Sequence, residues 1–411
     1  MMRRRVGAAA ALAAVLAVTA ACGGSSKPST SATGGTSNQT VTVGVLADIT
    51  GPAASVNKTS VAGIKAGVRY ASRQGYTIRY IVGDTATNPN TVLSVAQKFV
   101  TQDHVTAVLA ESSLTFLASS YLTAHNVPVV GIGEDGPEWI TAKNMFSVVG
   151  ALHTTKVATT SGEFFKKMGV TNLGIIGYAG LPASTDVAKA TALSAEAAGV
   201  HVGYLNATLP LGTTDVGPMV LAMKNAGVDG FTGTIVPDTA FALITGLRQQ
   251  GVNLKVALLP TGYGGDLLEA GPGAIAAAQN VYFLVNAEPI EMQTAATRTF
   301  QTDLASTGTA AAATTFAMYN GYVSVGLLVE GLKKAGAKPT SASLIASLSN
   351  IHDFTALGLY GTHKLDVNNR EDTINGVDNC IWVTQFRGST FHVVDGAAPI
   401  CGATLAGRTV S

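Results

Sequence analysis

Residues that could support catalysis are present, but their spacing matches no familiar catalytic or metal-binding motif. None of the seven histidines forms an H-E-x-x-H pair or another metal-ligand spacing. The chain also contains no G-x-S-x-G segment and no Walker loop. A triad assembled from distant segments would leave no such pattern, because its geometry is three-dimensional. We therefore predict no catalytic residue, no metal site and no cofactor.

One glycine-rich loop matches a nucleotide-binding pattern. Residues 131–136 read G-I-G-E-D-G and follow the apolar segment 127–130. In a dinucleotide site, the third glycine opens a helix whose N-terminus receives pyrophosphate. Here Glu134 and Asp135 would repel pyrophosphate, and Pro137 follows the loop. The loop is interpreted as ligand-facing or as an ordinary glycine-rich turn.

Polar and aromatic side chains follow several apolar segments that are predicted strands. Ligands of parallel α/β sheets bind beyond the carboxyl ends of the strands, where loops and helix N-termini supply hydrogen bonds. A helix cap or a surface position is the alternative role for each of these side chains. The predicted ligand-binding residues are Ser112, Ser113, Glu134, Asp135, Tyr178, Asp238, Thr261 and Tyr263.

Composition limits the class of protein. The 411 residues are 47% hydrophobic and only 12% charged, which excludes disorder for most of the chain. The 26 Lys and Arg residues against 25 Asp and Glu residues give a formal charge of +1. This balance lacks the basic excess that nucleic-acid binding needs, so no nucleic-acid partner is expected.

The N-terminus has the pattern of an export signal. An arginine cluster at residues 3–5 precedes the apolar segment 6–18 and small residues that end at Cys22. The segment resembles a bacterial lipoprotein signal, which implies a lipid on Cys22 and a place on the outer face of the cell membrane. A plain secretory signal is the alternative. Residues 22–40, rich in Ser, Thr and Gly, are predicted to form a flexible tether.

Apolar segments alternate with amphipathic segments from Val41 to Val130, and the pattern restarts at Leu173. This alternation predicts an α/β fold with two doubly wound parallel-sheet lobes. Asn88-Pro89-Asn90 predicts the start of a helix, and the apolar segments 381–386 and 391–394, separated by four residues with a glycine, predict a hairpin. A late helical block indicates that the chain returns to the first lobe, so several connections form a hinge. The predicted N-lobe is 41–150 plus 287–355, and the C-lobe is 151–286 plus 356–411.

The order of short segments resembles the type I periplasmic binding proteins, within them the leucine/isoleucine/valine-binding receptors of ABC importers. The resemblance covers most of 41–395. Its carriers are Val43-Gly44-Val45-Leu46, Thr50-Gly51-Pro52, Gly83-Asp84 with Asn88-Pro89, Asn126-Val127-Pro128-Val129-Val130, Gly227-Val228-Asp229-Gly230, 247–251 and Tyr319-Asn320-Gly321-Tyr322.

The resemblance implies a receptor that captures a small molecule between two closing lobes and delivers it to an ABC permease. Such a receptor is no enzyme. A ligand sensor without transport and a hydrolase on the same scaffold remain alternatives, since fold does not fix function.

The resemblance also bears on the ligand. In the family's amino-acid receptors, a small residue and then Thr hold the ligand carboxylate where this chain has Gly133-Glu134-Asp135. An acid that receives the ammonium group corresponds to Thr261 here. We therefore expect a neutral, hydroxyl-rich or cationic ligand rather than a leucine-type amino acid. In the alternative, both acids point to solvent and the pocket is largely apolar.

Two cysteines remain after Cys22. Cys380 and Cys401 form an even pair in a chain that carries an export signal, and an oxidising compartment favours a disulfide between them. Two free buried thiols are the alternative.

Overall fold

The computed structural model describes residues 39–133, 136–150, 155–371, 374 and 376–410. The predicted signal at 1–21, the lipidation residue Cys22 and nearly all of the tether lie outside these residues. None of the helices in the described part of the chain is both long and apolar enough to cross a bilayer.

The first sheet has five strands, and every neighbouring pair is parallel. They are β1 (Gln39–Ala47), β2 (Tyr76–Asp84), β3 (Ala107–Glu111), β4 (Val129–Gly131) and β5 (Met145–Ser147). Their order across the sheet is β2-β1-β3-β4-β5. Parallel strands need crossover connections, and helices supply most of them here. These are α1 (Ala54–Asn57), α2 (Ser60–Arg73), α3 (Pro89–Thr101), α4 (Phe116–Ala124) and α5 (Glu138–Thr141).

Helix α3 begins where the sequence predicts. The Asn88 side chain accepts hydrogen bonds from the backbone N–H groups of Asn90 and Thr91, and Pro89 occupies the first turn. Its apolar stripe buries Phe99 against the sheet, where Gly44 leaves the space: a Cβ there would lie 2.4 Å from the ring. Local sequence thus fixes both the start of the helix and its inward face.

The second half of the chain forms a second large sheet. Strand β6 (Lys156–Ala158) lies outside it. Five parallel strands follow, namely β7 (Asn172–Tyr178), β8 (His201–Leu209), β9 (Gly230–Thr234), β10 (Val256–Leu259) and β11 (Tyr282–Val285). Their order, β8-β7-β9-β10-β11, repeats that of the first sheet. The two α/β sheets confirm the predicted fold class.

Antiparallel strands complete this second sheet. Strands β12 (Cys380–Arg387) and β13 (Thr390–Val393) form the predicted hairpin on the β11 edge, and β14 (Ile400–Cys401) pairs with β12. The last strand, β15 (Thr404–Thr409), pairs with β6. Cys380 and Cys401 are joined by the predicted disulfide across β12 and β14.

Nine helices are described after β6. They are α6 (Thr160–Lys167), α7 (Pro182–Ala197), α8 (Gly217–Asn225), α9 (Pro237–Gln249), α10 (Gly265–Glu269), α11 (Gly271–Ala277), α12 (Ala295–Ala305), α13 (Phe316–Ala335) and α14 (Ser341–Ser349). Short 3₁₀ turns lie at Ile290–Met292, Ala311–Ala313, Ala356–Gly358 and Val377–Asn379.

The late helices α12 and α13 return to the first sheet and pack on α2. Arg73 of α2 donates to both carboxylate oxygens of the buried Asp303, at 2.6 and 2.7 Å. The Tyr322 hydroxyl donates to the same carboxylate at 2.8 Å. This ion pair, in which Asp303 is buried and Arg73 is half exposed, holds the returning segment against α2. The exact lobe boundaries stay a prediction.

Candidate functional site

One cavity lies between segments that follow strands of the first sheet and residues in and after strands of the second sheet. The centre of a water molecule can occupy about 170 Å³ within it, more than ten times the roughly 15 Å³ that one bound water requires. Its walls therefore enclose room for a small organic molecule.

The residues around this cavity fall into two chemical groups. The polar ones are Asn57, Ser112, Ser113, Ser161, Tyr178, Ser184, Thr191, Thr232, Thr234, Thr261 and Asn286. The others are Ala53, Val56, Ile132, Ile175, Leu181, Ala183, Val187, Ala188, Leu211, Gly233, Ile235, Val236, Leu258, Pro260, Leu284 and Phe316. None of these described residues is an acid, a lysine, an arginine or a histidine.

The cavity lies where the topology of each sheet opens a crevice. In both sheets the chain runs to one side after the first strand and to the other side later, so the first and third strands mark a switch point. Asn57 and Ser113 follow β1 and β3, whereas Tyr178 ends β7 and Ile235 follows β9. The two switch points thus face one shared cavity.

A buried carboxylate organises the wall formed by the first sheet. Asp48 follows β1 directly and is fully buried. It accepts hydrogen bonds from the Ser112 hydroxyl at 2.6 Å and from the Ser113 backbone N–H at 2.9 Å. The side-chain amide of Asn57, at 2.8 Å, and the Thr85 hydroxyl complete the set. Four donors satisfy this charge, as a buried carboxylate requires.

The wall formed by the second sheet is built from hydroxyls that bond to its own backbone. The Thr261 hydroxyl donates to the carbonyl of Ile235 at 2.8 Å. The Tyr178 hydroxyl donates to Thr239 at 3.0 Å, and burial raises the pKa of this phenol, so it stays neutral. The Ser184 hydroxyl accepts from the Tyr178 N–H at 2.7 Å. These contacts rigidify the wall.

Four of the predicted ligand-binding residues line the cavity. They are Ser112, Ser113, Tyr178 and Thr261. Glu134 and Asp135 lie outside the described residues, so their role stays a prediction.

The structure places two predicted residues away from the cavity. Asp238 is exposed in the first turn of α9. Tyr263 is fully buried, and its hydroxyl donates to Glu291 at 2.6 Å. The reason is Gly262, whose φ of +87° turns the chain after β10 and sends Tyr263 into the core. The position of Tyr263 after a predicted strand indicated a place in the cleft, because that position does not reveal the turn at Gly262.

Sequence reasoning missed Asp48, Asn57, Thr234 and Asn286. Asp48 and Asn286 each come directly after a buried strand, which is the same signal that singled out Ser112. Asn57 had no comparable signal, because it lies in a short helix and reaches Ser113 only across 56 residues of sequence.

A cluster of possible metal ligands occurs elsewhere. His363 lies beside Cys380 and Cys401, with ligand atoms within 4.8 Å of one another. The two sulfur atoms are bonded to each other and offer no thiolate. This cluster is therefore a disulfide with a neighbouring histidine.

Comparisons with known proteins agree with this geometry. Residues 40–390 match the model of a family described as periplasmic binding protein. No curated protein sequence matches the chain.

Several solved structures share the fold. An ABC-transporter solute-binding protein from R. palustris in complex with 4-hydroxybenzoate has a TM-score of 0.70 and 17% identity, covering 90% of this chain and 98% of that one. A leucine-binding protein from Thermotoga maritima has a TM-score of 0.72 and 15% identity, covering 88% and 99%. A solute-binding protein from Rhodopseudomonas palustris BisB5 in complex with 3,4-dihydroxybenzoic acid has a TM-score of 0.69 and 20% identity, covering 90% and 98%.

Proposed function

The chain belongs to the periplasmic binding protein family, and we propose that it captures an uncharged small molecule and delivers it to an ABC permease. The observation that carries this proposal is the cavity, which both sheets line at their switch points. The solved structures named above include solute-binding proteins of ABC transporters, which supports transport as the purpose of binding.

The mechanism is a shift between open and closed arrangements of the two lobes. A ligand that touches both walls binds the closed arrangement more tightly, so it raises the population of that arrangement. Asn57 and Ser113 would contact it from the first sheet, and Thr234, Thr261 and Asn286 from the second. The permease would then recognise the closed form.

The ligand is proposed to be something other than a leucine-type amino acid. On the wall formed by the first sheet, Asp48 already accepts from the Ser112 hydroxyl and from the Ser113 backbone N–H, so neither donor is available to a ligand carboxylate. The Asp48 charge would also repel a second carboxylate in a poorly solvated cleft. The proposed uncharged ligand differs from the aromatic acids bound in two of the solved structures named above. A neutral ligand avoids the competition for these donors and the repulsion by Asp48.

The family works outside the cytoplasm, and the proposed route is export through residues 1–21 with a lipid on Cys22. The Cys22→Ala variant should move from the membrane fraction to the soluble fraction. Unchanged membrane association, with no acyl mass on the wild-type N-terminus, would contradict the anchor and leave the binding proposal intact.

A thermal-shift screen tests the binding proposal, because a ligand that binds the native state raises its melting temperature. The panel contains polyols, sugars, amides, alcohols, amines, aromatic acids and amino acids. We expect stabilisation by an uncharged member. Stabilisation by leucine, isoleucine or valine alone would overturn the proposed ligand class.

A matched pair of variants tests the location. Ser113→Trp places a large ring in the cavity, whereas Ser94→Trp places the same ring on the exposed face of α3. The first should abolish binding and the second should leave it unchanged. Full binding by a folded Ser113→Trp variant would place the ligand elsewhere.

A further inference from the structure

The cavity continues beyond the cleft into the space between α7 and the second sheet. We call this part the α7 arm. Its sheet side consists of Ile175, Thr232, Leu258 and Leu284, one from each of four strands, and its helix side includes Val187, Ala188 and Thr191. The arm is one continuous space with the part lined by Ser112 and Ser113.

The arm has a definite depth. Its sheet residues Thr232, Leu258 and Leu284 lie two positions before Thr234, Pro260 and Asn286, which line the cleft. Two residues of strand correspond to roughly 7 Å. On the helix side, the lining runs from Ala183 to Thr191, or about 12 Å of helix. The arm is therefore a deep recess.

The opposite face of the same sheet is filled. There α9 buries Phe241, Ile244 and Leu247 in one cluster with Phe231 and Phe283 of the sheet. Protein interiors are normally close-packed, with few voids larger than a water molecule. Under α7, Ile175, Ala188 and Leu258 belong to a second buried cluster, and the cavity extends to the edge of that cluster.

Most of the lining of the arm is apolar, with Thr191 and Thr232 as its polar members. The Thr232 hydroxyl donates to the Leu258 carbonyl at 2.8 Å, and the Ser184 hydroxyl at the mouth of the arm bonds to backbone atoms on both sides. Ile175 and Leu258 are almost fully buried. Water in such a recess finds few partners, because it needs two to four polar groups. An apolar group suits the space better.

We propose that the α7 arm binds the apolar tail of an uncharged amphiphile whose polar head lies in the cleft. This inference rests on the proposed function and narrows its ligand class. The head contacts Asn57 and Ser113 of the first sheet, and the tail extends along Val187 and Ala188. Affinity then depends on tail length, whereas lobe closure depends on the head.

A series of 1-alkanols from 1-propanol to 1-octanol probes the arm by isothermal titration calorimetry. We expect the affinity to rise about three- to fourfold for each added CH₂ until the arm is full. Ala188→Leu fills the arm and should abolish this rise, whereas Ala197→Leu, on the exposed end of α7, should keep it. A wild-type affinity that is independent of chain length overturns the proposal, as does an intact rise in a folded Ala188→Leu variant.

A second variant covers the case in which Ala188→Leu does not fold. Val187→Ala widens the arm and should raise the affinity for 1-octanol relative to 1-butanol by at least threefold. An unchanged ratio of the two affinities contradicts the proposal that the α7 arm binds the tail.

The two levels of proposal fail separately. Suppose that Ser113→Trp blocks binding of a ligand from the screen and Ala188→Leu does not affect it. That result would support the proposed function and contradict the proposal that the α7 arm binds a tail. Full binding of that ligand by a folded Ser113→Trp variant would contradict both the proposed binding site and the proposed role of the arm.

Discussion

The two sheets have the same strand order, but Asp48 and Asp229, whose carboxylates each accept several hydrogen bonds, lie at opposite ends of their strands. In the first sheet, Asp48 lies at the carboxyl end of β1, beside the cavity, and gathers four donors. In the second sheet, Asp229 lies at the amino end of β9, remote from the cavity-lining loops. It accepts from the backbone N–H groups of Thr171 and Asn172 and from Lys255.

This difference shows that two sheets of the same topology can place a carboxylate that accepts several hydrogen bonds at either end of the strands. In the first sheet, the buried carboxylate Asp48 gathers the polar groups of the cleft wall around itself. The second sheet is tied at the far end, and its cleft end leaves space beneath α7.

Asp48→Ala should have the largest effect on stability. It leaves the buried donors of Thr85, Ser112 and Ser113 without their acceptor, and each such group costs roughly 1–3 kcal/mol. We expect the free energy of unfolding to fall by about 4 kcal/mol in urea titration. Asp103→Ala, which removes a surface ion pair with Lys98, is the control and should cost less than about 1 kcal/mol. Equal losses in the two variants would contradict the special role of Asp48.

Removing the disulfide should have the next largest effect, and it acts on the second sheet. The bridge closes a sequence separation of 21 residues, for which the chain-entropy model gives about 3 kcal/mol. The double variant Cys380→Ser with Cys401→Ser should unfold at a correspondingly lower urea concentration. Ligand binding should persist, because neither cysteine lines the cavity. A loss of binding in the folded double variant would show that the sheet edge controls the cleft.

Acid should weaken the second sheet through Asp229. Burial would raise the pKa of this carboxyl, but hydrogen bonds from Lys255, Thr171 and Asn172 outweigh burial and lower it from 3.8 to about 2. A lowered folded-state pKa stabilises the fold above pH 4, and this stabilisation is lost as the pH falls toward 2. After allowance for solvent screening, we expect about 1 kcal/mol.

Comparing wild type with Asp229→Asn from pH 7 to pH 2 checks this expectation. The difference in unfolding free energy should shrink as the pH falls. A difference that stays constant over this range would mean that the Asp229 charge contributes nothing.

The smallest effect is expected for the ion pair between Lys58, after α1, and Glu269, in α10. It joins the segments that follow β1 and β10, so it links the two sheets across the cleft. Both side chains are substantially exposed, and such pairs contribute about 0.5 kcal/mol or less. Glu269→Gln should change the unfolding free energy by no more than that, and high salt should remove the difference. A salt-independent loss above about 1.5 kcal/mol would contradict this weak coupling.

The sequence by itself determined the two-sheet fold, the start of α3, the terminal hairpin and the disulfide. Each depends on local periodicity, on a cap such as Asn88, or on the parity of two cysteines. It also predicted that Ser112, Ser113, Tyr178 and Thr261 lie at strand ends. These four residues line the cavity because the carboxyl ends of parallel strands meet at one edge of a sheet.

Only the tertiary structure decided what those side chains do. Asp48 reaches Ser112 across 64 residues and Ser113 across 65, and no local pattern records such contacts. The turn at Gly262 sends Tyr263 into the core, although strand-end position favoured the cleft. The α7 arm arises from the fit between one helix and four strands. Packing of distant segments fixes such features, so periodicity and spacing could not reveal them.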